Sequence, residues 1–196
     1  MRILAFSDLH RDLEQARRLV DRSREVDAVI AAGDFANQHQ GLEEGIDVLS
    51  AISVPTVLVP GNNETTDALR AACAGWGAAV VLHGEETEID GVPFFGLGAG
   101  VPITPWGWSY DLSDAEAADM LSACPAGCVL VLHSPPLGHL DGQGKSLGSE
   151  AILRAIATRS PRRAVCGHVH ECRGRSTTVG STPLHNLGPR GALLEV

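Results

Sequence analysis

The sequence predicts one α/β domain over residues 1–196, carrying two β-sheets. Two observations predict it. Short apolar runs alternate with amphipathic stretches through the first third, the rhythm of parallel strands joined by crossover helices. An Asp90-Gly91 hairpin signal and a return to short strands after residue 164 then break that rhythm and call for a second sheet.

In order along the chain, residues 2–7 read as a strand. Residues 11–24 read as a helix, because Leu13, Ala16 and Val20 recur at near-helical spacing. A buried strand is expected over 26–32, a helix over 42–52 and a strand over 56–59. A helix over 64–74 and a short strand over 80–82 complete the first half. Strands 87–89 and 92–95 flank the hairpin turn, and a loop rich in Gly, Pro and Trp covers 96–111. Ser113 reads as the N-cap of a helix to about residue 122, with Glu116 closing a capping box. A strand over 129–132, a helix over 149–158 and strands over 164–166, 176–179, 183–186 and 192–196 finish the chain. No linker, repeat or low-complexity tract interrupts it.

Composition narrows the function. The formal net charge is −9 and no basic stripe is present, which argues against broad nucleic-acid binding. A phosphate substrate is still compatible, because metal ions can reverse the field inside one pocket. No apolar run approaches a membrane span. No secretory signal precedes the first strand, and the five cysteines (Cys73, Cys124, Cys128, Cys166, Cys172) lack a CxxC pair. A cytoplasmic protein with reduced thiols is expected. Nothing in the sequence signals an oligomeric state.

The chemistry sits at strand ends. The first strand runs into Asp8-Leu9-His10, the second into Gly33-Asp34 and the third into Gly61-Asn62-Asn63-Glu64. The strand over 129–132 runs into His133, and that over 164–166 into Gly167-His168-Val169-His170. Ligands of parallel α/β folds bind at the carboxyl ends of strands, so these segments are expected to converge. Oxygen and imidazole donors together suit Mn, Fe, Zn, Ni or Co. Alternate residues of an extended segment share a side, so Asp8 with His10, and His168 with His170, are each expected to reach one metal region. Two ions about 4 Å apart would orient phosphate oxygens and acidify a shared water. Each motif taken alone reads as a turn, a cap or a polar loop residue; their joint order does not.

These residues resemble, in order, the five motifs of the calcineurin-like metallophosphoesterase superfamily, from residue 8 to residue 170. Segments 131–136 and 166–171 are similar to its small Icc-related bacterial and archaeal branch. The resemblance implies a four-layer α/β/β/α sandwich and two divalent transition-metal ions, manganese foremost. It implies that Asp8, His10 and His170 hold one ion, that Asn62, His133 and His168 hold the other, and that Asp34 bridges them. The nucleophile would be a bridging hydroxide, with Asn62 also touching a small phosphate-ester substrate such as a nucleotide. The family's third motif usually ends in a histidine that serves the leaving group; here that position is Asn63. An amide donates a hydrogen bond but is no general acid, so weak activity on alkyl esters is expected unless His10, His39 or another group supplies the proton.

Arg11 is a candidate phosphate clamp, against a plain solvated helix residue. Trp106, Trp108 and Tyr110 are candidates for an aromatic wall, against simple loop packing. The segment 135–149, with His139, Asp141 and Lys145, is either a cover for the pocket or a surface loop. Gly144-Lys145-Ser146 lacks the earlier glycine of a P-loop, and no Gly-x-Ser-x-Gly elbow exists. The leading reading is a phosphodiesterase. Its rivals are a phosphomonoesterase, a structural zinc site at Cys166, His168, His170 and Cys172, and a metal-bound regulatory protein without turnover.

Overall fold

A computed structural model describes residues 1–142 and 146–196. One sheet has the order β11-β1-β2-β3-β4 and the other β5-β6-β7-β8-β10-β9. The first is built from β1 (Arg2–Phe6), β2 (Ala28–Ala32), β3 (Thr56–Val59), β4 (Ala79–Val81) and β11 (Ala192–Glu195). The second contains β5 (Glu85–Ile89), β6 (Val92–Leu97), β7 (Val129–Leu132), β8 (Arg163–Cys166), β9 (Ser176–Val179) and β10 (Thr182–Asn186). Inner strands pair in parallel, while β11, β5 and β9 run antiparallel at the edges. Both sheets are therefore mixed.

Side-chain alternation stacks the layers. Ile3, Ala5, Ile30, Val57 and Val59 of one sheet meet Phe94, Val129, Val131 and Val165 of the other in a shared core. Their strand neighbours Leu4, Phe6, Val29 and Leu58 point the opposite way, onto α1 (Leu13–Ser23), α2 (Leu42–Leu49) and α3 (Thr66–Cys73). Likewise Phe95, Leu97, Leu130 and Leu132 face α4 (Asp114–Leu121) and α5 (Glu150–Arg159). A period of two along each strand thus gives each sheet two buried faces, and helices cover the outer ones. The result is the expected α/β/β/α sandwich.

Caps explain where the helices begin. The Asp12 side chain accepts from the Gln15 N–H, so α1 starts at Leu13 rather than at residue 11. Thr65 accepts from Ala68 N–H and starts α3 two residues later than expected, because Glu64 is committed elsewhere. Ser113 and Glu116 form the expected capping box on α4. The 96–111 loop begins late, β6 continuing to Leu97.

Candidate metal centre

The parallel strands β1, β2, β3, β7 and β8 all deliver their carboxyl ends to one edge of the sandwich. The loops after them lock together through the backbone. Asp8 N–H donates to Gly33 O at 2.9 Å, His10 N–H to Asp34 O at 2.9 Å and Arg11 N–H to Phe35 O at 3.0 Å. Gly167 N–H donates to His133 O at 2.9 Å, and His168 N–H to Asp8 Oδ1 at 3.0 Å.

The local backbone differs from the expectation of extended segments. Asp8 (φ 56°), His10 (φ 45°), Asp34 (φ 60°) and His168 (φ 65°) are all left-handed. Non-glycine residues in that region cost roughly 1–3 kcal/mol each and persist only where surroundings impose them. The interlocked loops impose them here. Because the chain turns at these residues, His168 and His170 do not share a side, and they reach different donor groups.

Two groups of donor atoms result. Ligand atoms of Asp8, His10, Asp34 and His170 lie within 4.8 Å of one another, and so do those of Asp34, His133 and His168. Asp34 belongs to both. Its Oδ2 stands 3.5 Å from His10 Nε2 and its Oδ1 3.5 Å from His133 Nε2. Asn62 joins the second group, its Oδ1 lying 3.3 Å from His133 Nε2 and 3.1 Å from His168 Nδ1.

The donor chemistry fits a cation. The Ala32 carbonyl can only accept, so His133 Nδ1, 2.9 Å away, carries the ring proton and Nε2 is left with a lone pair. That lone pair faces the Asp34 and Asn62 oxygens. In the same way His10 Nδ1 meets Ala36 O at 3.3 Å, while its Nε2 faces His170 Nε2 at 3.1 Å. Acceptors turned on one another at these distances repel unless a cation or a shared proton lies between them. Backbone carbonyls fixing the far nitrogen are the usual orienting partners of metal-ligating histidines.

Electrostatics favour the neutral, ligating form at two of the histidines, and draw positive charge to a third. Burial lowers His10 below its ordinary value against the pull of Asp34, and burial with the neighbouring His133 takes His168 down to about 4. Both are neutral imidazoles at neutral pH, the form that ligates. Burial opposes charge on His133 too, but Asp34 and Asp8 outweigh it and raise the group. Burial also works against ionised Asp8, yet His170, His133 and Ser7 hold it well below the usual carboxylate range.

Several supporting residues carried no recognised role in the sequence. The fully buried Glu64 carboxylate accepts from Asp34 N–H (2.8 Å), Gly61 N–H (2.6 Å) and Ala36 N–H (3.0 Å). Burial and the Asp34 charge push it up to about 7 despite those donors. Asn62 Nδ2 donates to Ser109 Oγ at 2.9 Å, and Ser109 donates to Asp111 Oδ1 at 2.7 Å, which aims the Asn62 oxygen at the imidazoles. Asn186 Nδ2 donates to the carbonyls of Gly167 (3.0 Å) and Val169 (3.3 Å), clamping the last loop. Gly61 is required because a Cβ there would overlap Asp34 Oδ1 and the Asp34 nitrogen.

A cavity of about 270 Å³ opens over His10, Asp34, Asn62 and His168, with Asn63, Trp106 and Trp108 on its wall. Asn63 Oδ1 accepts from Gln38 N–H at 2.8 Å. His39 is turned away, its Nε2 on the Trp108 carbonyl at 2.5 Å. Arg11 does not enter this cavity: its guanidinium reaches Glu44 of α2 at 3.5 Å and its stem lies over Gly41. The clamp expectation is corrected accordingly, since a left-handed φ of 67° and the Glu44 carboxylate draw Arg11 toward α2. Tyr110 packs behind the wall against Thr66 Oγ1 (3.0 Å) rather than lining it. Asp141 accepts from Gly138 N–H (2.8 Å) and Gly148 N–H (3.2 Å), so it ties its own loop. Lys145 and most of the Gly144-Lys145-Ser146 motif lie outside the described residues. Cys166 and Cys172 are buried, and neither joins a donor group among the described residues, so a four-ligand zinc site is not formed.

Two donor groups sharing one carboxylate, at the strand ends of a double-sheet sandwich, define a candidate two-metal site of the phosphoesterase kind. A sequence profile of the calcineurin-like phosphoesterase superfamily domain matches residues 1–193, and the chain belongs to that superfamily. Human metallophosphoesterase domain-containing protein 1 is 31% identical over 125 residues, 60% of this chain and 35% of that protein. The UPF0046 protein T07D4.2 of Caenorhabditis elegans is 34% identical over 118 residues, 55% of this chain and 28% of that protein. The matched region thus spans about a third of these relatives. Among solved structures, TT1561 of Thermus thermophilus superposes with a TM-score of 0.81 at 18% identity, covering 98% of this chain and 93% of that one. This last likeness is one of fold. Among the described residues, no helix is long and apolar enough to cross a membrane.

Proposed function

We propose that this chain is a dinuclear metal-dependent phosphoesterase that prefers phosphodiesters with good leaving groups. The observation that carries the reading is Asp34, whose two oxygens each stand 3.5 Å from a histidine of a different donor group. In this reading Asp8, His10 and His170 hold one ion, Asn62, His133 and His168 the other, and Asp34 both. When bound, two divalent ions, manganese foremost, supply the acidity that makes water a nucleophile and the charge that steadies the transferring phosphoryl group.

The chain's own residues set the preference. Asn63 Oδ1 is taken by Gln38 N–H, so the amide turns its Nδ2 toward Asn62 and can donate a hydrogen bond but no proton. The His39 ring is engaged with Trp108, and the histidines lining the cavity all belong to the donor groups. A leaving group must therefore depart as an anion, which favours aryl over alkyl alcohols. The lining contains no Lys or Arg among the described residues. A diester, with one negative charge, needs less compensation there than a monoester dianion. The five free thiols suit a reducing, cytoplasmic setting.

The test is hydrolysis of an aryl phosphodiester and its matching monoester with Mn²⁺, by wild type and Asp34→Ala. The reading requires faster diester turnover in wild type and none in the variant. A faster monoester rate would make the protein a phosphomonoesterase. Asn63 also favours a second reading, a metal-bound nucleotide-binding or regulatory protein, and wild type that binds metal without turnover would establish that one.

A further inference from the structure

Three tryptophans serve two different ends. Trp76 is buried in the helix-side core, and its Nε1 donates to Ile52 O at 2.8 Å. Trp106 and Trp108 belong to no core cluster. They stack on each other, ring centroids 5.6 Å apart and 8° from parallel, on the wall of the cavity that holds His10, Asp34 and Asn62. Trp106 remains 49% exposed. An indole face left open beside a polar cavity offers a flat apolar surface that another planar ring can cover.

The loop that carries the pair is pinned rather than loose. Thr104 N–H and Oγ1 both donate to Asp111 Oδ2 at 2.7 Å, and Ser109 N–H donates to Trp106 O at 3.0 Å. Tyr110 N–H donates to Asn62 O at 2.9 Å, and the Asn62 side chain donates to Ser109. The indoles are therefore held in register with the residue that faces His133 and His168. Ring and donor atoms share one small cavity, of a size that takes a single small ligand.

We propose that Trp106 and Trp108 form a stacking platform for a planar aromatic ring carried on the phosphate ester. The inference rests on reading the cavity as a phosphate-ester site. The ring is either an aryl group directly on the phosphate or a nucleobase reached across a sugar. Stacking on an aromatic side chain is sequence-tolerant and strong enough to matter: about 5- to 150-fold in affinity per ring.

Equilibrium binding to the Mn²⁺-loaded protein tests this without turnover. Phenylphosphonate is compared with methylphosphonate, and adenosine monophosphate with ribose 5-phosphate. At least one ringed ligand should bind about 5- to 150-fold tighter than its ringless partner. That ratio should fall to near unity in Trp106→Ala or Trp108→Ala and largely return in Trp106→Phe. Ring dependence in the first pair alone identifies an aryl ester, and in the second alone a nucleotide. Equal affinities within both pairs, no binding by any of the four, or a ratio unchanged in both alanine variants overturns the proposal. Ring-dependent binding in a protein without hydrolysis sinks the proposed function and leaves the platform standing.

Discussion

Replacing Glu64 with glutamine isolates one acceptor atom beneath the candidate metal centre. Oε1 accepts the N–H groups of Asp34 and Gly61, and Oε2 that of Ala36. The single carbonyl of glutamine can keep the first two. Its NH₂ then faces the Ala36 N–H, which leaves that buried donor without an acceptor and sets the amide's own N–H groups against it, at a cost of at least about 1–3 kcal/mol. For a domain of this size that lowers the melting temperature by roughly 2–12 °C. Glu64→Ala strips all three donors, about 3–9 kcal/mol, comparable with the whole stability of a typical domain. The assay is thermal and urea unfolding at pH 8, above the value of about 7 to which burial pushes this acid, so that wild type carries the carboxylate. Mn²⁺ affinity of the folded protein is measured beside it, since Asp34 hangs from the same carboxylate. A Glu64→Gln protein with unchanged unfolding midpoint and unchanged metal affinity would refute the argument that Glu64 holds the Asp34 loop.

Other perturbations have equally definite outcomes. Gly61→Ala places a Cβ on Asp34 Oδ1, so bound Mn²⁺ measured by equilibrium dialysis should be lost from a protein whose circular dichroism is native. Ser109→Ala frees Asn62 Nδ2 and should weaken one of two metal sites by about 10- to 100-fold, the usual cost of losing an orienting partner; unchanged affinity at both sites would show that Asn62 needs no such support. Asn63→His restores an imidazole beside the cavity and should raise turnover of an alkyl ester by up to about 10²–10⁴-fold, with little change for an aryl ester. Equal alkyl rates in the two proteins would remove Asn63 as the cause of leaving-group selectivity.

The donor residues were legible because each follows an apolar run, and a parallel strand delivers its end to one sheet edge whatever the loop does next. Strand order alone therefore gathers Asp8, Asp34, His133 and His168. What strand logic could not supply was the conformation of those loops. Four donors lie in left-handed backbone, a choice imposed by hydrogen bonds between segments distant in the chain. Period-two facing therefore fails at His168 and His170. The supporting residues were hidden for a related reason. In sequence Glu64 reads as the first residue of a helix, yet it caps the backbone of a different loop. Ser109 and Asp111 sit in a Gly-, Pro- and Trp-rich stretch without periodicity, and only its return to Asn62 gives them a role. Arg11 shows the converse. Its position next to His10 suggested a phosphate contact, and a distant carboxylate, Glu44, decided otherwise.

The proposed function requires that two ions share Asp34. Electron paramagnetic resonance of the Mn²⁺-loaded protein, with the metal content of the same sample, addresses it most directly. Two ions per chain with the signal of an exchange-coupled pair, and loss of that coupling in Asp34→Ala, are expected. One ion per chain, or two giving only the six-line spectrum of isolated Mn²⁺, would contradict it.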